Sequence, residues 1–244
     1  MQGPQQRLTQ YWGYTSFRAP QEDIINALVS CQDVLAVLPT GSGKSLCYQI
    51  PGLLNEGICV VISPLVALME DQVNDLMGRN IKAIALAGPQ SPEEMMRIFD
   101  LFRHGGYKFL YVAPERLKQE LVLDFLKTID INLWAIDEAH CIAQWGFDFR
   151  PAYQQLKVLR QLQPQTPILA LTGTATEEIT AEITNALELR EPKIFSRPLI
   201  KENIQLFIEQ REDVFERILA ISKAQKGSGI VYVPTRKLSE QYAQ

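Results

Sequence analysis

Two short clusters in this sequence hold side chains whose types and spacing can do chemistry. The first is Pro39-Thr40-Gly41-Ser42-Gly43-Lys44-Ser45. Glycines in such a run let backbone N–H groups converge on phosphate oxygens, a lysine reaches the β and γ phosphates, and the following hydroxyl can bind magnesium. Thr40, Gly41, Ser42, Gly43, Lys44 and Ser45 are therefore candidate contacts to a nucleoside triphosphate, with Ser45 also a candidate Mg²⁺ ligand. The usual motif opens on a glycine where this chain has Leu38, a departure that leaves the phosphate-facing positions intact. A Gly-Ser turn with a surface lysine is the plainer alternative. The second cluster is Asp137-Glu138-Ala139-His140. Asp137 can hold Mg²⁺ through water, while Glu138 can orient and deprotonate a water for in-line attack on the γ-phosphorus. Taken alone, such a pair is as readily a solvated turn or a helix cap; beside a phosphate loop the catalytic reading gains.

Both clusters need a frame. Short runs rich in Val and Ile alternate with segments of helical spacing, the pattern of a parallel sheet covered on both faces. The runs are residues 33–38, 58–63, 81–86, 108–112, 132–137, 168–172 and, after a break, 229–233. The phosphate loop then lies between a strand and a helix over residues 46–53, and the acidic pair emerges at the carboxyl end of a strand, where open α/β sheets place ligands. Leu65, Leu68, Met69, Val73, Leu76 and Met77 recur at three and four residues, which predicts one apolar helical stripe in the core. Ser91, Pro92 and Glu94 stand as N-cap, first-turn proline and capping-box acid of another helix.

A helical pattern over residues 177–187 is followed by an aperiodic stretch around Pro198, so the expected division is a first domain over residues 1–198 and the beginning of a second over 199–244. The second piece should hold a strand at 204–208, a helix at 213–224, the strand at 229–233 and a helix starting at Lys237. It is too short to close an α/β domain, which takes about 100 to 150 residues. There are no internal repeats and no low-complexity tract.

The 244 residues are 46% hydrophobic and 21% charged, which excludes a disordered chain. Mean hydropathy is −0.06, and no run approaches the roughly 20 apolar residues of a membrane span. The first residues have no apolar core that would mark a secretory signal, so a cytoplasmic chain is expected, nucleoid-associated in a bacterium or nuclear in a eukaryote. Cys31, Cys47, Cys59 and Cys141 lack a Cys-x-x-Cys pair, which argues against structural zinc and against a disulfide framework. A net charge of −4 and a pI near 5.4 confine any nucleic-acid contact to a local groove.

Residues 39–49, continuing through Leu46-Cys47-Tyr48-Gln49, together with Asp137-Glu138-Ala139-His140-Cys141-Ile142, resemble the RecQ family of superfamily-2 DNA helicases. The resemblance runs from about Leu8 to the end. It implies a RecA-like P-loop domain followed by the start of a second RecA-like domain, with ATP and Mg²⁺ as cofactors. It adds His140 to Lys44, Asp137 and Glu138 as the catalytic group. Trp12-Gly13-Tyr14 and Phe17-Arg18-Ala19-Pro20-Gln21 look like the family's adenine-reading motif: Tyr14 and Arg18 flank the base and Gln21 hydrogen-bonds its edge. The alternative there is an amphipathic helix with a surface glutamine.

Further stretches resemble the family's DNA-contacting and coupling motifs: Ser63-Pro64, Pro114-Glu115, and the aromatic-rich run Trp145, Phe147, Phe149 and Arg150. Three aromatics in five residues either pack in a core or await bases to stack on. Many family members have a histidine where this chain has Phe147, which removes a polar contact and leaves stacking. Pro114-Glu115 also suits an ordinary helix start, and Arg150 a structural salt bridge. Thr172 and Thr174 resemble the motif that links the nucleotide site to the second domain, hydrogen-bonding near the acidic pair and His140; a threonine-capped turn would serve equally.

The resemblance implies an ATP-dependent DNA helicase that unwinds 3′ to 5′ in repair and recombination, present as its ATP-binding half. The implied partners are single-stranded and duplex DNA and the remainder of the second helicase domain, without a membrane. The arginine that crosses the cleft in this family is not in the sequence. Two other readings stay open: a nucleotide- and DNA-binding module without turnover of its own, and a DEAH-type RNA helicase.

Overall fold

The computed structural model describes residues 3–143, 149–197, 204–210 and 213–243. The chain divides into two compact units, Met1–Leu199 and Ile200–Gln244. The apolar runs of the first unit form strands β1 (Val34–Val37), β2 (Ile58–Ile62), β3 (Ala83–Leu86), β4 (Phe109–Val112), β5 (Ile131–Ile136), β6 (Ile168–Thr172) and β7 (Lys193–Ser196). All pairings are parallel, in the order β3-β4-β2-β5-β6-β1-β7.

Each inner strand is buried along its length, apart from the half-buried Asn132 of β5, because both of its faces are covered. Side chains alternate between two cores. Leu35, Val60, Leu110 and Trp134 face one side, packed against Phe99 of α5 (Pro92–His104), Phe125 of α6 (Glu120–Thr128), Leu159 of α7 (Val158–Leu162) and Ile183 of α8 (Glu177–Ala186). Ala36, Val61, Tyr111 and Leu133 face the other side, covered by α2 (Gln21–Val29), α3 (Leu46–Leu54) and α4 (Val66–Gly78). Leu8 of α1 (Pro4–Trp12) closes a smaller cluster with Ile25 and Ile50. Helix α5 starts as its sequence predicts: the Ser91 hydroxyl accepts from the Glu94 N–H while Glu94 reaches back to the Ser91 N–H.

The amino-terminal ends of three strands are tied together by one buried carboxylate. Asp33 accepts from the Ile168 N–H (2.9 Å), the Arg190 N–H (2.7 Å) and the Arg160 guanidinium (2.5 Å), and its carbonyl accepts from the Lys193 N–H. Arg160 also donates to the carbonyls of Pro164 and Thr166.

Three expectations need correction. The stripe on α4 is only partly core: Met69 and Leu76 are buried, whereas Leu65 and Met77 are 47% and 46% exposed, because the helix lies on the sheet with one narrow face. Strand β7 forms within a stretch whose polar composition gave no strand signal. In the second unit, residues 204–208 and 229–233 are not strands; among the described residues they have no ladder partner, and a strand without one is not stable in water. The regular elements described there are α9 (Val214–Ala224) and α10 (Arg236–Tyr242), neither with a buried residue.

Candidate active site

The parallel order places the ends of β4, β2, β5, β6 and β1 side by side on one rim. The phosphate loop leaves β1 and turns on Gly41 and Gly43, at φ 80° and 77°, a conformation open to glycine and costly for other residues. Gly43 is required twice over, since a Cβ there would stand 2.5 Å from the Gln21 side-chain nitrogen. The Ser42 N–H donates to the Pro39 carbonyl, and helical bonding starts with the Leu46 N–H to the Gly43 carbonyl. Ser45 is the N-cap of α3.

Gln21 is buried and holds this loop from behind. Its Nε2 donates to the carbonyls of Ser42 (3.0 Å) and Gly43 (3.1 Å), and its Oε1 accepts from the Arg18 N–H (2.9 Å). The Arg18 guanidinium reaches the Gly41 carbonyl at 3.4 Å. Tyr14, 55% exposed, lies with Arg18 and Trp12 on the wall of a cleft of about 440 Å³ that opens beside Gly41, Gly43 and Ser45.

A second hollow adjoins it, lined by Thr40, Lys44, Ser45, Asp137 and Glu138. Lys44 Nζ lies 3.8 Å from Glu138 Oε1, and His140 Nδ1 lies 3.2 Å from Glu138 Oε2. Thr172 gives its hydroxyl proton to the Thr174 carbonyl (2.9 Å), so its oxygen accepts from His140 Nδ1 at 2.9 Å, which puts a proton on that nitrogen. Glu138 is held at φ 49°, in the left-handed region, with its N–H donating to Asp137 Oδ1. The Tyr153 hydroxyl donates to the Asp137 carbonyl.

This geometry drives the two carboxyls apart. The hydrogen bond from His140, helped by the charge of Lys44, lowers the Glu138 pKa. Burial, followed by the neighbouring charge of Glu138, raises that of Asp137, against the pull of Lys44. Contacts with Cys141 and with Glu138 push His140 up to about 10.

The donor set suits a nucleotide with a divalent cation. One hollow holds an ammonium, the hydroxyls of Thr40, Ser45 and Tyr48 and two carboxylates, and the Ser42 hydroxyl in the same loop is buried without a hydrogen-bond partner. Hard oxygen ligands of this kind suit Mg²⁺.

Along the rest of the rim the picture is mixed. Ser63 and Pro114 are buried, so a phosphate contact there would fall to the neighbouring backbone; Pro64 is half-buried and Glu115 exposed. Arg150 donates to the Pro64 carbonyl at 2.9 Å, tying the aromatic run to the loop after β2. Phe149 is 36% exposed, while Trp145 and Phe147 lie outside the described residues. Thr172 is buried and Thr174 is exposed.

Three polar residues were not among those predicted: Gln72 and Asp75 of α4 and its C-cap Arg79 all line the cleft beside Tyr14. Their spacing of three and four, on the face next to Met69 and Leu76, is the signal that would have found them.

A family profile described as DEAD/DEAH box helicase matches residues 18–182. The chain is 45% identical over 243 residues to the probable ATP-dependent DNA helicase RecS of Bacillus subtilis, covering 98% of this chain and 49% of that protein. It is 40% identical over 238 residues to the ATP-dependent DNA helicase RecQ of Haemophilus influenzae, covering 97% and 38%. The chain thus spans half or less of the length of these relatives. Among solved structures, that of the DUF1998 helicase MrfA is similar in fold, with a TM-score of 0.72 and 18% identity over 98% of this chain and 39% of that one.

Proposed function

The chain belongs to the DEAD/DEAH box helicases, and from that premise we propose that it is the nucleotide-binding front half of a RecQ-type ATP-dependent DNA helicase. The observation that carries the reading is the convergence on Glu138, which Lys44 approaches from the phosphate loop and His140 from the other side. Lys44 and the backbone of Thr40–Ser45 hold the triphosphate. Tyr14 and Arg18 flank the base, while Gln21, buried with its amide bonded to the Ser42 and Gly43 carbonyls and to the Arg18 N–H, positions Arg18 and the phosphate loop in place of the base-edge contact the resemblance implies. Ser45 and Asp137 would hold Mg²⁺, which supplies charge neutralisation on the phosphates when bound. Glu138, kept ionised by His140 and Lys44, orients the attacking water and takes its proton. Thr172 positions His140, and Thr174 positions Thr172.

On the same rim, Pro64, Glu115, Phe149 and Arg150 meet single-stranded DNA, and by the resemblance Trp145 and Phe147 join Phe149 in stacking on bases. The motif preference is for DNA over RNA, and the site of action is wherever the cell keeps its DNA. Among the described residues no helix is long and apolar enough to cross a membrane. Turnover by these residues alone is low on this reading, because an arginine supplied from a second lobe is worth about 10³ to 10⁵ in rate in related hydrolases.

Steady-state ATP turnover and binding of a fluorescent ATP analogue, each with oligodeoxythymidylate, with oligouridylate and without nucleic acid, test this. Nucleotide binding that Lys44→Ala abolishes, with weak turnover raised more by DNA than by RNA, is the expected result. Binding indifferent to Lys44→Ala, or stimulation by RNA alone, would overturn it.

A further inference from the structure

Helix α4 touches three parts of the site at once. Its N-cap, Leu65, directly follows Ser63-Pro64, the candidate DNA loop at the end of β2. At its middle, Gln72 Oε1 accepts from Gln49 Nε2 (3.2 Å) and from the Tyr48 hydroxyl (3.4 Å), both on the helix that continues the phosphate loop. The Tyr48 hydroxyl also lies 3.3 Å from that of Tyr111 on β4, the strand that leads to Pro114-Glu115. At its end, Arg79 is gripped by Asp75 through two bonds of 2.8 and 3.0 Å, donates to the Tyr11 carbonyl at 2.9 Å and lies over the Trp12 ring. Tyr11 and Trp12 immediately precede Gly13-Tyr14, the wall of the base cleft.

A helix is stiff along its axis, and Gln72, Asp75 and Arg79 recur at three and four residues, so they share a face. A shift of the loop before Leu65 therefore moves the phosphate-loop helix and the base cleft together. We propose that α4 is the element through which an occupied DNA loop changes affinity for nucleotide, with Gln72 and Arg79 as its positioning residues. The proposal rests on the assignment of the two sites above. Ordinary folding does not call for this arrangement: Met69 and Leu76 already bury the helix against the sheet, while Gln72 and Arg79 lie on the adjacent face, toward the cleft.

The test is a thermodynamic cycle on the full chain. The dissociation constant of a fluorescent ATP analogue is measured with and without saturating oligodeoxythymidylate, for the wild type, Gln72→Leu, Arg79→Met and the double variant. By reciprocity, the ratio of the two constants is the coupling between sites. In the wild type this ratio should differ from one, and each variant should bring it about 2- to 30-fold closer to one. A merely structural role would weaken binding equally with and without DNA and leave the ratio unchanged; that result overturns the proposal. Should Arg79→Met fail to fold by circular dichroism, Gln72→Leu decides alone. A wild type that binds neither nucleotide nor DNA defeats the functional reading itself, whereas a wild type that binds both with a ratio of one defeats only the role of α4.

Discussion

Glu138 receives a cation from each side, and its backbone holds a conformation that costs a non-glycine residue of order 1–3 kcal/mol. Contacts with Cys141, and then with Glu138, hold the proton on His140. Glu138→Gln should therefore lower the His140 pKa from about 10 while the larger contribution of Cys141 stays in place, read by NMR titration of a protein with two histidines. The sign of the stability effect follows. A histidine whose folded pKa lies above its ordinary value adds stability that is complete below about 6.5 and lost as pH rises through about 10. The denaturation midpoint should fall across that window in the wild type and fall less in Glu138→Gln. Lys44, Asp137 and Glu138 were legible in the sequence because residue type and spacing define them. The burial of Ser63 and Pro114 was not, since depth depends on which strand lies beside which, and single-sequence spacing does not contain that.

Helix α3 owes its place to a missing side chain. A Cβ on Gly52 would sit 2.8 Å from the Cys59 Cβ and 2.9 Å from the Phe109 ring, so helix and sheet meet at this residue. Gly52→Ala should cost about 1–3 kcal/mol in urea denaturation by overpacking, and should weaken nucleotide binding because α3 carries the phosphate loop. Asp33 does the corresponding work for the strands. Asp33→Ala leaves the buried Arg160 without its carboxylate and should cost about 3–5 kcal/mol by the same measurement. The inner strands were readable as Val- and Ile-rich runs because burial on both faces imposes that composition. Strand β7 escaped because three of its four residues, Lys193, Ile194 and Ser196, are exposed and so carry no buried-strand composition. Residues 204–208 and 229–233 misled for the converse reason: their composition suits a strand, but pairing makes one.

The two units differ in how they are held. The first has two cores flanking a sheet; in the second, Leu206, Phe207, Ile208 and Tyr232 are each more than three-quarters exposed. Residues 1–199 alone should melt at the midpoint of the full chain and bind much less of an apolar dye such as ANS, checked by calorimetry and fluorescence; a collapse of the midpoint would show that the second unit supports the first. The parallel sheet also has a mechanical consequence. Five of its seven strands are paired on both sides and buried on both faces, so the sheet can serve as a stator, with the rim loops and α4 as the parts that turn against it. Amide hydrogen exchange followed through nucleotide and DNA binding should then change in those loops and that helix, while the strand amides keep the same slow clock in every state.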